Sequence, residues 1–593
     1  MSAVTTPDGT RDAEAKVGAR RRALLPTNER NRWLLVIALG CLLLVALDAW
    51  WIVVHRHGYP LDIDEAGYTT IGLNDYLGLQ NGGLHGWWEA VQSQPPNAPL
   101  LPAVTSLALL VNPGVLAGFV VLVGFAILLV LSAFGIAETL SGPRLGALVA
   151  FAVATSQGLF SFSREYIFAL PTAAFLSCAV FALIRSDGLR SKRWAIACGV
   201  ATGLMLLART MSVAFVPGVL LAAGLVLFLR GRGELKNRLV NLSLLMLAGV
   251  AVAATWYWRN ITPVADYLTT YGYGSKSQYY GAEHAFISWA RVKSVAEYMI
   301  VKDLLAPLAL LLLLGLVATA AIVIQHLCRA TDRREELTRL LASDATSVLL
   351  VFVAGYAALM SSRNGGEGFT FPIVMLLPAL AVLSLRGLRR SVVVPISLSI
   401  AAIGALNVTA SLDISDNVSR VRSIHVPVFG YVPWVDGRPK AVEAIRIQIP
   451  GPSTRFTSND EGWPRMDDRL ADLLLKPIGP GKTQPLTGMA SRNRALNVNT
   501  IMLASVLRHH VGLPLVQLEA EPADTPAAYI AQLQDSPIGE LNALISMSSD
   551  QGDFPPIVTQ SKAETAAKRL GFRVLRRFKL PDGRQLNLWL KRR

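Results

Sequence analysis

The run YPLDIDEAGY, residues 59–68, sets three carboxylates, Asp62, Asp64 and Glu65, just beyond the first long hydrophobic segment. Charge this close to a bilayer is expensive and is kept where it serves a purpose. Carboxylates at the mouth of a first span are well placed to handle a polar group delivered by a lipid, which makes this acidic knot the first candidate site.

The sequence around the knot is that of an integral membrane protein. Of 593 residues, 52% are hydrophobic and only 16% charged, whereas soluble domains carry roughly 25% charged residues. Mean hydropathy is +0.42. Apolar stretches able to cross about 30 Å of hydrocarbon recur from Trp33 to about Ala410 and then stop. Three parts follow: a basic N-terminus at 1–32, a membrane body at 33–410 whose first outer loop is 55–113, and a C-terminal domain at 411–593. The N-terminus does not read as a cleavable signal, because the apolar run after it exceeds the usual ~7–15 residues and no small-residue cleavage site follows.

The formal charge of +15 does not call for nucleic acid as a partner. Most Lys and Arg cluster in short loops between apolar segments, where positive charge marks the cytoplasmic side. The clusters are Arg20 to Arg22; Arg185, Arg190, Lys192 and Arg193; Arg230, Arg232, Lys236 and Arg238; Arg329, Arg333 and Arg334; and Arg386, Arg389 and Arg390. Spans near 33–54, 114–137, 145–161, 166–184, 194–208, 211–229, 239–256, 303–325, 347–361, 369–385 and 391–410, about eleven crossings, put every cluster inside. The apolar segment 97–111 is too short to cross and reads as interfacial or re-entrant; counting it as a span would place the Arg185 loop outside. With the N-terminus cytoplasmic, the knot, the SFSREY turn at 161–166, loop 257–302, the SSRNGGEGF turn and the C-terminal domain all share the outer face.

In the C-terminal domain, VPVFGYVPWV and IRIQI read as strands, RALNVNTIMLASVLRHH and KAETAAKRLGF as helices, and the last residues as a hairpin turning at Pro581-Asp582-Gly583. This predicts a soluble α/β or α+β domain large enough to fold alone. Cys41, Cys178 and Cys198 lie in spans and Cys328 in a basic loop, so the domain has no disulfide framework or cysteine zinc site. It carries no Gly-x-Ser-x-Gly elbow or phosphate loop, and acceptor binding or scaffolding is expected of it.

The same charge bias gathers more polar residues on the knot's face: Arg164 and Glu165 in the SFSREY turn, Arg209 at a span end, and Arg259 with Asn260 beyond another. Each has a plainer alternative. Arg209, Arg259 and Lys302 could snorkel to headgroups, Glu165 could pair locally with Arg164, and Asp62 could cap the helix that follows. His55, His57 and His85 share the loop with three carboxylates, but their spacing is not a recognised ligand pattern and no metal is assigned to them.

An Asp-Glu pair shortly after the first span, Pro95-Pro96 opening a short helix later in the same loop, and a polytopic body resemble the GT-C membrane glycosyltransferases. The resemblance is greatest to glycosyltransferase family 39, with the protein O-mannosyltransferases and lipid A aminoarabinose transferases. It spans most of 33–385 and does not extend to the C-terminal domain. SFSREYIFALP resembles the family's second acidic outer loop, GVATGLMLLARTMSVAFVPG its basic residue after a later span, and TWYWRNITPVADYL its aromatic-Arg-Asn segment. These give Arg164 with Glu165, then Arg209, then Trp258, Arg259 and Asn260. SSRNGGEGFTFPIVMLLPAL departs from the family's late polar segment, which carries an Arg-Tyr; Arg363 and Glu367 are the candidates to stand in.

The resemblance implies a polytopic α-helical enzyme of the plasma (inner) membrane of a prokaryote. It would move a sugar from a polyprenyl-phosphate donor to an acceptor hydroxyl on a protein, polysaccharide or lipid at the extracytoplasmic face. The residues suit that chemistry. A hydroxyl is a weak nucleophile and needs a carboxylate to take its proton, here Asp64, with Glu65 orienting it or the acceptor. A departing lipid phosphate needs fixed positive partners, and the guanidinium groups of Arg209 and Arg259 can grip phosphate oxygens bidentately. One direct displacement inverts the anomeric carbon. The resemblance leaves a divalent cation open, since some relatives use one. A transporter or flippase of lipid-linked sugars is the alternative, though it should show matching halves with broken spans, and the sequence has none.

Overall fold

The computed structural model describes residues 27–56, 60–230, 234–274, 276–277, 287–362, 364–366, 368–412, 414, 421–436, 462–478, 483–520, 524–549, 553 and 557–591. Each expected span is helical. Among the described residues, seven helices are long and apolar enough to cross a membrane: Glu29–His55, Leu116–Ser141, Thr210–Arg230, Leu235–Gly272, Trp289–Arg329, Asp344–Ser361 and Arg390–Ser411. An eighth crossing forms if Pro143–Ala154 and Gln157–Ser163, bent by 56° at Thr155-Ser156, count as one.

The remaining segments are shorter because they sit inside the bundle. Ala169–Arg185 has Ala169, Leu170 and Leu176 fully enclosed by neighbouring helices. The run 371–385 is likewise buried and is broken into short turns, with Pro372 and Pro378 each starting a new one. Lipid-facing helices instead leave leucines such as Leu42, Leu247 and Leu313 exposed. Where Lys192–Ala208 crosses Leu235–Tyr267 the backbones nearly touch: a Cβ on Gly199 would lie 2.1 Å from the Leu245 carbonyl oxygen.

Chain order gives the bundle two ends. Ala169–Arg185 leaves Glu165 and Lys192–Ala208 returns to Arg209; Val216–Arg230 leaves again and Leu235–Tyr267 returns to Tyr267. The described basic loops therefore gather at one end, and ion pairs join them there. Arg190 meets Glu234 at 2.8 Å, Arg230 meets Asp344 at 3.0 Å, and Arg30 meets Glu138 at 2.6 Å. The acidic knot is at the other end.

Residues Ile63–Gln92 form the first-loop helix, which reverses at Gly83 (φ 59°, ψ −150°). Its two legs meet at Gly78 and Gly86, where any Cβ would fall within 2.6 Å of the opposing carbonyl oxygen. Leu100–Ala108 follows, nine residues long and too short to cross, as segment 97–111 predicts.

The C-terminal domain begins with a hairpin, β1 (Arg422–Val426) and β2 (Gly430–Val435). Its main sheet holds β3 (Thr487–Met489), β4 (Leu515–Gln517), β5 (Ala543–Met547), β6 (Phe572–Lys579) and β7 (Gln585–Lys591) in the order β4-β3-β5-β7-β6. The neighbours β4, β3 and β5, which include the β4 edge, run parallel, while β7 is antiparallel to both β5 and β6. The β6–β7 hairpin turns at Pro581-Asp582-Gly583, with Gly583 at φ 88°. The helix Val498–His509, which links β3 to β4, packs on the first-loop helix and is called here the roof helix. The expected strand IRIQI lies outside the described residues.

Candidate active site

The adjacent knot residues Asp64 and Glu65 part company. Asp62 is extended (φ −64°, ψ 162°) and hands the chain to the first-loop helix, and the Glu65 carboxylate reaches back to the Asp62 N–H at 3.0 Å. This is the capping-box arrangement that favours a carboxylate in a first helical turn. Glu65 also accepts two bonds from Arg56 Nη2, at 2.7 and 2.6 Å, and one from the Tyr166 N–H at 3.0 Å. It is completely buried. Asp64, one residue earlier, is exposed and faces a cavity of about 600 Å³.

Glu165 lines the same cavity. Its neighbour Arg164 turns the other way: Nε donates to Asp48 Oδ1 at 2.8 Å, Nη1 to the Ser411 carbonyl at 2.5 Å, and the guanidinium lies over the Trp51 and Phe160 rings. The charge of Arg164 is thus committed to the first span and to the end of the last one. Asp48 was not singled out from the sequence, although a lone acid inside an apolar span was the available signal.

Arg209 enters from a third element. The helix Lys192–Ala208 ends there because the residue is extended (φ −156°, ψ 125°), and the guanidinium stacks over Phe369 at 3.8 Å. The next residue, Thr210, donates to the Pro96 carbonyl and ties this turn to the Pro-Pro segment. Arg209 interacts electrostatically with Tyr68, Tyr267, Tyr298 and Asp64, so base candidate and cation share one field. The side-chain amides of Gln94, Asn97, Asn364 and Asn499 complete the polar wall. Tyr68, one turn after Asp64 on the same helix face, was legible as i+4 spacing; the contributions of Tyr267 and Phe369 were not.

Other expected residues are placed elsewhere. Arg259 is about half exposed on Leu235–Tyr267, pairs with Glu89 at 3.0 and 3.1 Å, and is not among the residues lining the cavity. Asn260 is buried and donates to Gln92 Oε1 at 3.3 Å and to the Trp256 carbonyl at 3.2 Å. With Trp256 Nε1 donating to the Val91 carbonyl at 3.2 Å, this segment anchors the second leg of the first-loop helix. Arg363 and Glu367 lie outside the described residues, as does His57. His55 stacks on Trp51 and His85 is exposed. Among the described residues no group of three or more His, Cys, Asp or Glu side chains is arranged to hold a metal ion.

A second cavity, about 760 Å³ and apolar, opens between Lys192–Ala208, Val216–Arg230 and Leu235–Tyr267, with Leu206, Leu220, Val250 and Tyr257 among its walls. Leu206 is one helical turn before Arg209.

The polytopic bundle with its acidic first-loop helix, and the mixed-sheet domain resting on it, share their overall fold with a solved membrane protein. This chain is similar to ArnT from Cupriavidus metallidurans bound to undecaprenyl phosphate, with a TM-score of 0.52 and 16% identity over 94% of this chain and 98% of that one. The apo state of ArnT gives 0.51 at the same identity and coverage. The oligosaccharyltransferase of Archaeoglobus fulgidus gives 0.42 and 11% identity, over 87% of this chain and 69% of that one. No protein-family model and no curated protein matches the sequence.

Proposed function

We propose that the protein is a glycosyltransferase that moves a sugar from a polyprenyl-phosphate donor to an acceptor hydroxyl at the extracytoplasmic face of a prokaryotic plasma membrane. The observation that carries this reading is the single cavity where Asp64, Glu165 and Arg209 meet from three separate elements, at the end of the bundle opposite the basic loops. A carboxylate facing a guanidinium across a polar pocket supplies both halves of a displacement at an anomeric carbon.

In that reaction the acceptor oxygen attacks the anomeric carbon and its proton passes to Asp64. The bond from that carbon to the phosphate oxygen breaks, and the electron pair leaves with the phosphate, whose new charge is met by Arg209. The sugar inverts. Glu165 and the amides Gln94, Asn97 and Asn364 hold hydroxyl groups of the sugar or acceptor, since amides offer donors and acceptors together. Glu65 acts through position, fixing the turn that aims Asp64. The apolar groove beside Leu206 takes the first isoprene units of the donor, a role supported by its lining and by the undecaprenyl phosphate bound to ArnT. Arg259, paired with Glu89 on the outer surface, stands in reserve for a phosphate at the cavity mouth only if that pair opens.

The test is transfer from an undecaprenyl-phosphate-linked sugar by purified protein, comparing wild type with Asp64→Asn. Loss of a base costs about 10²–10⁴-fold in rate, so turnover in the variant within threefold of wild type would remove Asp64 from that role. Movement of labelled lipid-linked sugar across liposome membranes with no acceptor present would favour a flippase instead.

A further inference from the structure

The membrane body does not finish the cavity by itself: Asn499, Met502 and Gly512 of the C-terminal domain form part of its lining. Two further contacts join that domain to the knot. Arg494 Nη1 lies 3.2 Å from both carboxylate oxygens of Asp62, whose side chain is almost fully buried. Asn499 Nδ2 donates to the Ile63 carbonyl at 2.9 Å, and the same amide sits so close to Gly67 that a Cβ there would meet it at 2.9 Å. These contacts bracket Asp64 on both sides along the chain.

The presenting loop is itself held. The Asn497 side chain caps the roof helix by accepting from the Asn499 and Thr500 N–H groups, and its amide donates to the carbonyls of Asn493 and Arg494 at 3.0 and 3.1 Å. Thr500 in turn donates to the buried Asp467 at 2.7 Å. The loop leaves the end of β3, between its parallel neighbours β4 and β5, where successive connections depart to opposite sides of the sheet. In parallel sheets that switch point is where functional loops gather.

We infer that Arg494 and Asn499 are positioning residues that fix the first turn of the first-loop helix, and with it the aim of the Asp64 carboxylate, so the active site is complete only when the C-terminal domain is docked. This rests on the glycosyltransferase reading of the same cavity. Neither residue is asked to touch the reacting atoms through these contacts. Their effect is geometric, and displacement of a catalytic group by about 1 Å can lower rate by about 100-fold.

The test uses full-length protein in nanodiscs, as wild type, Arg494→Lys, and Arg494→Ala with Asn499→Ala. Hydrogen exchange is followed at residues 63–68 and 498–509, and turnover with an undecaprenyl-phosphate-linked sugar. In the double variant, amides 63–68 should exchange at least about tenfold faster while those of the roof helix stay protected, with kcat down about tenfold or more and donor KM within twofold. Arg494→Lys, which keeps the charge, should recover part of kcat. A folded double variant with wild-type exchange at 63–68, or with kcat within twofold of wild type, overturns the inference. If the wild type transfers no sugar, the glycosyltransferase reading fails, and the exchange result still decides whether the domain holds the helix.

Discussion

Replacing Glu65 by Gln should separate architecture from chemistry in the knot. The wild-type carboxylate is fully buried and accepts four hydrogen bonds: two from Arg56, whose side chain is also buried, one from the Asp62 N–H and one from the Tyr166 N–H. Gln keeps the shape but turns one acceptor into a donor facing Arg56, and removes the Glu65 charge from beside a buried guanidinium. Breaking one side of such a pair costs about 3–5 kcal/mol, or roughly two to three and a half powers of ten in an unfolding equilibrium at about 1.4 kcal/mol per decade. Asp64→Asn removes an exposed carboxylate and should leave stability within about 0.5 kcal/mol. The assay is thermal unfolding of each variant in one detergent, monitored by intrinsic fluorescence, beside turnover per folded molecule. Glu65→Gln should melt several degrees lower, and the double variant Glu65→Gln with Arg56→Met should regain much of the loss, because both charges of the buried pair are then removed together. A Glu65→Gln protein that melts with the wild type yet has lost all turnover would refute the division of labour between the two acids.

Arg209→Ala should raise the donor KM about tenfold or more, because a charge-assisted contact to phosphate is lost; competition with free undecaprenyl phosphate measures it. Arg259→Ala should change donor KM less than threefold, since an exposed pair such as that with Glu89 contributes at most about 1 kcal/mol; a tenfold rise would show that Arg259 leaves Glu89 to meet the donor. Asp75, on the first-loop helix and outside the spans, is completely enclosed, and burial pushes its carboxyl up to about 8. Such a group leaves stability whole below the ordinary carboxylate range and erodes it as pH rises toward 8. Asp75→Asn should therefore raise the melting temperature most at pH 8, with the gain shrinking steadily as pH falls toward the ordinary carboxylate range near 4.

Most of the fold could be read from the sequence because burial in lipid writes itself as long apolar runs, and the basic loops mark one end of the bundle. Hydropathy does not distinguish a helix facing lipid from one enclosed by protein, which is why 369–385 reads like the other spans although two prolines break it inside the core. The site was legible where chemistry is local. Asp64, Glu165 and Arg209 stand out as charges at span ends and do meet. Pairings across long stretches of chain left no local trace: Arg164 with Asp48, 116 residues away, and Asp62 with Arg494, 432 residues away. Glu65 and Arg259 show the same limit, since a charge at the right loop position says nothing of which way its side chain turns.

The bond between Asp62 and Arg494 also has a history in time. At translation rates of about 5–20 residues per second, roughly 20–90 s separate the synthesis of the two partners. The seven candidate spans among the described residues have all been made before Arg494 exists. For that interval a nascent chain carries the acidic turn of its first-loop helix without its Arg494 partner, so this contact can close only after the membrane bundle has been made.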